Sequence, residues 1–489
     1  MDTNSVLTGL LPIPLWKNFD EISQIPRKSK NEAAIQEFIW RFGINLDLNT
    51  KRDDTGNIAI FKPATPGYEN RKPIIAQAHL DMVCEKNTKS SHNFATDPIQ
   101  FIINGEWMTA KGTSAGFDNG IGAASIMAVL EATDIEHGPF IGLFTTDEET
   151  GLTGAFGLKS GFLPKDAILL NTDSEAWREI FVGCAGGKKI KSTWNYKEEL
   201  PSNLKSYEIC ITGLKGGHSG DDIDKGFENA IRILAKVLAS TPGLRIASMA
   251  TGTGGTAIPR EGNAIVFLPP ESNTNEVVNY WMNWAKEKLT NEDEIKNFKI
   301  TIEPCECESS QKVMEPVAQK AILQAVLKIP NGVIEMSDLD PKIVETSTNL
   351  GIFEIKDRVA TAVAVQRSFS NEKTLNLYKK IANIFEKAGA KTESPMTFSG
   401  WTPNVDSEVL KIMVAADKKR FGEQPIVRVI HAGLECGVFL EAYPNWDVIS
   451  FGPTLKHVHS PDEKLEIATV EPFFQLFTDV LKMAPAQKN

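Results

Sequence analysis

Three short stretches, KPIIAQAHLD (72–81), FIGLFTTDEE (140–149) and DAILLNTDSE (166–175), run almost wholly apolar and then stop abruptly in acidic or polar residues. Runs that are apolar on both faces predict buried strands of a largely parallel sheet. Between the first two lies NGIGAASIMAVLEAT, in which Ile121, Ala124, Ser125, Ala128 and Val129 keep helical spacing. GLTGAFGLKSGF, after the second, suggests another short helix. Strands alternating with helices make an α/β layer. In such sheets ligands gather outside the carboxyl ends of the strands. His79, Asp81, Glu148, Glu149 and Asp173 all fall at or just after those ends.

After about residue 186 the texture changes to longer alternating strands and amphipathic helices, among them YEICITGLKGG, FENAIRILAKVLAS and RVATAVAVQRS. This predicts a sheet covered by helices on one side. From about residue 400 the first texture returns, in PIVRVIHAG, WDVISFGP and a closing helix EPFFQLFTDVLKMA. The expected architecture is α/β: a mixed, largely parallel sheet flanked by helices, built from residues 1–186 and 400–489, with an α+β domain of residues 187–399 inserted.

A chain of 489 residues with 42% apolar and 24% charged residues has ample material for such cores. Its net charge of -11 disfavours nucleic acid or an anionic membrane surface, both of which reward a basic face. Small solutes are the better-matched partners. No apolar stretch approaches the roughly 18 to 20 residues that span a bilayer, and the N-terminal sequence has no basic region ahead of its short apolar patch. A cytoplasmic protein is therefore expected. The six cysteines are scattered, and the one close pair, Cys305 and Cys307, has neither zinc-knuckle nor redox-motif spacing. Reduced structural thiols are expected.

Three consecutive acids, Asp147, Glu148 and Glu149, need something positive nearby. His79 and Asp81 lie in HLD, Asp118 in the Gly-flanked loop GFDNGIG, Asp173 in LLNTD and His459 in HVHSPDE. Imidazoles and carboxylates together are ligands for a zinc-like divalent ion. If His79, Asp118 and Asp173 hold one ion and Asp118, Glu149 and His459 another, Asp118 bridges them, and the metal charge explains how the acids can crowd together. Two ions can acidify a shared water and polarise a carbonyl. Glu148, adjacent to a ligand but not needed as one, is free to move the water's proton as general base. Asp81 is placed to orient the His79 imidazole. His457, two residues before His459, is the competing ligand.

AHLDMVCEKN, GFDNGIGAA, TTDEETGLTGA, LLNTDSE, GLKGGHSG, HAGLECG and FGPTLKHVHSPDE, in this order and over nearly the whole chain, resemble the aminoacyl-histidine dipeptidases (peptidase D, Xaa-His dipeptidase). These are a branch of the dinuclear zinc peptidases that include carboxypeptidase G2-like enzymes and carnosinases. The resemblance implies a zinc-peptidase-like catalytic domain with an inserted lid. It implies two divalent ions, zinc foremost with manganese or cobalt accommodated, held by His79, Asp118, Glu149, Asp173 and His459. It assigns catalytic roles to Asp81, Glu148 and His218, the last as donor to the tetrahedral oxyanion. It also implies that Arg367 and Asn263 hold the substrate carboxylate or carbonyl and that Glu435 pairs with a substrate amine. The HSPDE context favours His459 over His457.

The expected activity is hydrolysis of unblocked dipeptides, those ending in histidine above all. A homodimer is compatible with it. Two departures from the family pattern, GTSAGFDNG in place of a bulkier loop and Phe227 where arginine is common, touch the pocket wall and not the ligands. An N-acyl amino-acid hydrolase of the same superfamily is the alternative enzyme, distinguished by its indifference to a free amine. A non-catalytic binding protein would lack the base or a ligand, and every such position is filled.

Overall fold

The computed structural model describes residues 5–308, 310–338, 340–404 and 406–487. The chain divides into two units, one of Met1–Gly183, Trp401–Val429 and Leu434–Asn489, the other of Cys184–Gly400 and Ile430–Gly433.

The first unit is built on an eight-stranded sheet. Its strand order is Asn49–Arg52, Ile58–Lys62, Phe140–Thr145, Ile74–His79, Ile168–Asn171, Asp447–Ser450, Glu179–Cys184 and Ile426–Ile430. Ile74–His79 pairs in parallel with both Phe140–Thr145 and Ile168–Asn171, and the latter in parallel with Asp447–Ser450. The flanking pairings through Ile58–Lys62 and Glu179–Cys184 are antiparallel. Every residue of the strands Ile74–His79, Phe140–Thr145 and Ile168–Asn171 is buried, which accounts for their continuous apolar runs. Their register puts His79 opposite Thr145 and Gln77 opposite Asn171. The acidic residues that follow all three strands therefore emerge at one edge of the sheet.

The helix Phe117–Glu131 is apolar on almost every side and packs under Ile13–Ser23. It starts abruptly. Gly116 is left-handed (φ 68°), and Asp118 has non-helical φ/ψ, so its carboxylate stands apart from the helix proper. Gly122 has no room for a side chain, since a Cβ there would lie 2.2 Å from Thr172 Oγ1. The helix start is thereby pressed against the end of the Ile168–Asn171 strand, beside Asp173.

The second unit holds an antiparallel sheet in the order Lys299–Pro304, Lys205–Thr212, Gly262–Leu268, Arg245–Thr251, Val344–Lys356, Val359–Ser368, Gly186–Asn195 and Lys391–Phe398. Gly332–Met336 pairs with Val344–Lys356 off that path. Its core includes Leu234 and Leu238 of the helix Ala230–Ser240, Leu323 and Val326 of Pro316–Lys328, and Ile381 and Phe385 of Asn371–Lys387. Asn229 starts the first of these helices, its side chain accepting the N–H groups of Ile231 and Arg232 that would otherwise lack partners. The segment Ile430–Gly433 packs with this unit although the chain on both sides of it belongs to the first. Among the described residues no helix is long and apolar enough to cross a membrane.

Candidate metal centre and catalytic residues

His79 ends a buried strand, and its ring is held from two sides. Nδ1 lies 3.1 Å from the Asp81 carbonyl oxygen and 3.5 Å from its Oδ1. Nε2 lies 2.9 Å from Asp118 Oδ1 and 3.5 Å from Asp173 Oδ1. The second oxygen of Asp118 turns the other way, with His459 Nε2 3.1 Å from Oδ2. That same imidazole nitrogen lies 2.9 Å from Glu149 Oε2. The residues thus fall into two triplets, His79/Asp118/Asp173 and Asp118/Glu149/His459, whose ligand atoms lie within 4.8 Å of one another in each. Asp118 belongs to both, one oxygen to each.

This crowding is costly without added positive charge. Burial raises Asp173 to about 6, and the neighbouring Asp118 carboxylate pushes the same way. Burial also holds Glu148 well above the usual carboxylate range, with His79 opposing and Asp173, Glu435 and Glu149 adding to the rise. Hydrogen bonds to Asp118 and Glu149 lift His459 to about 11. Burial disfavours the charged His79 ring, yet Asp173 and Asp118 overcome it and hold its pKa well above the ordinary value. The carboxylates therefore claim positive charge from both imidazoles. The donor set fits divalent cations by its chemistry, and Glu149 Oε1 is buried with no partner, an orphaned acceptor that a cation would satisfy. Each triplet can hold a divalent ion. His457 is exposed and lies in neither triplet.

The turn after Phe140–Thr145 separates the roles of the three acids. Asp147 is left-handed (φ 47°), and its carboxylate accepts the hydroxyls of Thr150 and Thr153, away from the triplets. Asp81 accepts the backbone N–H of Glu148 at 3.0 Å and of Glu149 at 3.3 Å. One carboxylate therefore supports both the His79 ring and the start of the short helix that presents Glu148 and Glu149. Glu148 also comes within ligand distance of His79 and Glu149, and these three form a further group that could hold an ion.

Glu435 is wholly buried in the first unit. Its Oε2 accepts from Gln77 Nε2 (2.6 Å) and Thr145 Oγ1 (3.0 Å), and Oε1 has no partner. Burial lifts its pKa to about 8.

Two bracing residues were not singled out in the sequence. Glu463, inside the quoted motif HVHSPDE, accepts the backbone N–H groups of Ala115 (2.6 Å), Gly116 (3.0 Å), Phe117 (2.8 Å) and Asp118 (3.3 Å). Arg27 donates to the carbonyls of Leu80 (3.1 Å), Asp81 (3.0 Å) and Gly116. Together they clamp the loop that carries Asp118 to the strand end that carries His79. The four acceptances were legible only as an acid in a motif; Arg27, in the polar run PRKSK, gave no signal.

The second unit carries the other three expected residues and does not gather them all, since two strands lie between that of Asn263 and that of Arg367. His218 stands on the short strand Gly217–His218, with Nδ1 3.2 Å from Asp221 Oδ2 and the side chain 39% exposed. Arg367 is 4% exposed on Val359–Ser368, its Cζ 6.0 Å from the Phe398 ring centroid. Asn263 lies on Gly262–Leu268 and donates to Glu208 at 3.0 Å.

A set of imidazoles and carboxylates at the strand ends of a mixed α/β sheet, buried at His79 and open to solvent at His459, with a further acid beside it, is the equipment of a hydrolase. Residues 75–483 match peptidase family M20/M25/M40, and the chain belongs to that family. It is 38% identical to the cytosol non-specific dipeptidase of Escherichia coli K12 over 99% of this chain and 100% of that one. The crystal structure of the aminoacylhistidine dipeptidase from Vibrio alginolyticus matches with a TM-score of 0.89 and 41% identity, covering 99% of each chain. The aminopeptidase PepT of Bacillus cereus shares the fold, with a TM-score of 0.61 at 18% identity over 97% of this chain and 99% of that one.

Proposed function

We propose that this peptidase-family member is a cytoplasmic, metal-dependent dipeptidase that hydrolyses unblocked dipeptides, those with C-terminal histidine foremost. The observation that carries the metal reading is Asp118, whose two carboxylate oxygens each face a different imidazole. Zinc is the proposed metal, two ions per chain, with manganese or cobalt as accommodated substitutes. Bound ions supply Lewis acidity, which polarises the scissile carbonyl and acidifies a water. The rest falls to the chain's own residues. Glu148, anchored by its N–H on Asp81, takes the proton from water and gives it to the leaving amine. Asp81 fixes His79 with Nε2 toward Asp118 and Asp173.

His218 is proposed as donor to the oxygen that becomes negative in the tetrahedral state. Arg367 and Asn263 are proposed to hold the substrate carboxylate or carbonyl, and Glu435 to take up a substrate amine. The support for Arg367 is a buried guanidinium whose Nε has no partner. For Glu435 it is a buried carboxyl with one free oxygen. A homodimer is compatible with this reading, which invokes neither nucleic acid nor membrane.

The test is a panel of dipeptides, N-acylated dipeptides and N-acyl amino acids, assayed with metal-stripped protein after single ions are returned. Metal-dependent turnover of dipeptides with a free amine is expected, fastest on those ending in histidine. Turnover restricted to N-acylated substrates, or activity independent of metal, would overturn it.

A further inference from the structure

The short helix Glu292–Asn297 buries an acid that its polar sequence gives no reason to bury. In the run TNEDEIKN the residues Glu292, Asp293, Ile295 and Lys296 are exposed, whereas Glu294 is 0% exposed. Glu294 shares the inward face with Phe298, four residues on, which packs in the core of the second unit. Asn291 fixes the start of the helix, its side chain accepting the N–H groups of Asp293 and Glu294. A carboxyl so deeply buried is costly unless hydrogen bonds satisfy it.

Those bonds reach across to another segment. Oε1 of Glu294 accepts the backbone N–H of Lys215 at 3.0 Å and that of Glu228 at 3.3 Å, and Oε2 accepts the Glu228 N–H at 3.3 Å as well. Lys215 and Glu228 stand at the two ends of the loop in GLKGGHSGDDIDKGFE that carries His218. One carboxyl therefore closes the loop like a clasp. Lys215 Nζ reinforces it, 2.6 Å from Asp293 Oδ2. The fit is tight, because a Cβ on Gly213 would stand 2.0 Å from the Asn297 carbonyl oxygen.

The stretch between the clasp and His218 is the one most in need of it. Gly216 and Gly217 separate Lys215 from His218, with φ of 66° and 154°, and glycine leaves the backbone free to swing. Beyond them the loop holds its own histidine. The His218 N–H donates to Asp222 Oδ2 at 2.7 Å, and Nδ1 receives the N–H groups of Gly220 and Asp221 at 3.3 Å each. With Nδ1 taken up inside the loop, Nε2 is the ring atom left to donate. Its direction follows the loop as a body, and the loop is fastened at Glu294.

We propose that Glu294 is a positioning residue for His218: by accepting the N–H groups of Lys215 and Glu228 it closes the loop and fixes the direction of the imidazole. That this imidazole serves the tetrahedral oxyanion rests on the function proposed above. The clasp does not.

Glu294→Met fills a similar volume but cannot accept, and Glu294→Gln is the rescue, since its amide oxygen can take the place of Oε1 for both N–H groups. The first readout needs no substrate: hydrogen exchange of the Lys215 and Glu228 amides, read by NMR together with the ring signal of His218, which is assigned by its absence in H218A. Exchange should be about tenfold faster in E294M, the effect of losing one modest hydrogen bond, and the ring signal should shift. Both should stay close to wild type in E294Q. The second readout is kcat on a dipeptide, with Glu294 and His218 replaced singly and together. E294M should lower kcat about tenfold with KM and metal content little changed, less than the 10² to 10³ that loss of the donor itself costs. In H218A it should have no further effect. Unchanged exchange in E294M overturns the clasp. A loss of kcat by the same factor with and without His218 overturns the positioning role and marks a merely structural acid. If E294M does not fold, Asn291→Ala, which releases the Glu294 N–H at the helix start, goes through the same cycle, and a loss of kcat confined to the protein that retains His218 is required of it. If the wild-type protein hydrolyses no dipeptide, the functional reading falls, and the exchange and ring signals still decide whether Glu294 holds His218.

Discussion

Asp81 Oδ1 accepts the backbone N–H of Glu148 at 3.0 Å, from a position where the same oxygen stands 3.5 Å from His79 Nδ1. The proposed base and a proposed metal ligand therefore share one support. Replacing Asp81 by alanine should weaken metal binding roughly 10- to 100-fold, as for other partners of metal-bound histidines, and should lower kcat as well. Asp81→Asn, which keeps an acceptor for the Glu148 N–H but loses the charge, should fall between. Metal titration of the stripped proteins beside kcat under saturating metal checks this. Full activity in Asp81→Ala with normal metal affinity would remove Asp81 from the mechanism.

The pair Glu148 and Glu149 should separate under a single atom exchange. Glu148→Gln cannot take the water's proton, and kcat should fall on the order of 10² to 10⁴ with metal content intact. Glu149→Gln removes charge next to His459 Nε2, 2.9 Å away, and should lose metal as well as rate. Equal metal loss in both would mean that the two roles are assigned the wrong way round.

Glu463 offers a prediction outside the chemistry. Its two oxygens accept four consecutive N–H groups, Ala115 to Asp118. An amide in its place presents one acceptor and one donor, so Glu463→Gln turns hydrogens toward hydrogens. A loss of about 1 to 3 kcal/mol is expected, the cost of leaving buried donors unsatisfied. Urea unfolding measures it, and weaker metal binding should accompany it because Asp118 sits on that loop. Unaltered unfolding would show that the loop holds its shape without the clamp.

The strand ends were readable because the strands between helices are buried on both faces, and such a strand can only be apolar until it stops. The polar residue after the stop is then conspicuous, and His79, Glu148, Glu149 and Asp173 stood out for that reason. Asp147 stood out equally and points elsewhere, since its direction depends on a left-handed φ and on Thr150 and Thr153. Arg27 was invisible because a buried arginine donating to carbonyls has the same neighbours in sequence as a solvated one. His431 lay in a quoted motif, HAGLECG, yet its place depends on a four-residue crossing between units that no periodicity encodes.

His431 also gives a pH dependence of stability. Its pKa of about 4 in the folded chain lies below the roughly 6.5 of an unfolded histidine. Between these values the unfolded chain binds the extra proton, so the contribution is fully present above about pH 6.5 and is lost progressively as pH falls toward about 4. Denaturant unfolding of wild type and His431→Phe across that window should show a steeper decline in the wild type. Parallel curves would mean that the ring is charged or exposed in the folded protein.

The bridge at Asp118 makes the last prediction. A carboxylate that presents Oδ1 to His79 and Oδ2 to His459 joins two ligand triplets which otherwise share no residue. Under saturating metal the wild-type chain should hold about two divalent ions, as dinuclear hydrolytic sites do. Asp173→Asn and His459→Ala each remove a ligand from one triplet alone and should each reduce the content toward about one ion. Asp118→Asn weakens both triplets, since an amide offers one oxygen and turns its NH₂ toward the other imidazole, so it should lose more metal than either. Elemental analysis after dialysis against a fixed free-metal concentration gives the three numbers. One ion in the wild type, unchanged by replacing Asp173 or His459 alone, would leave Asp118 as an ordinary ligand and end the two-ion reading.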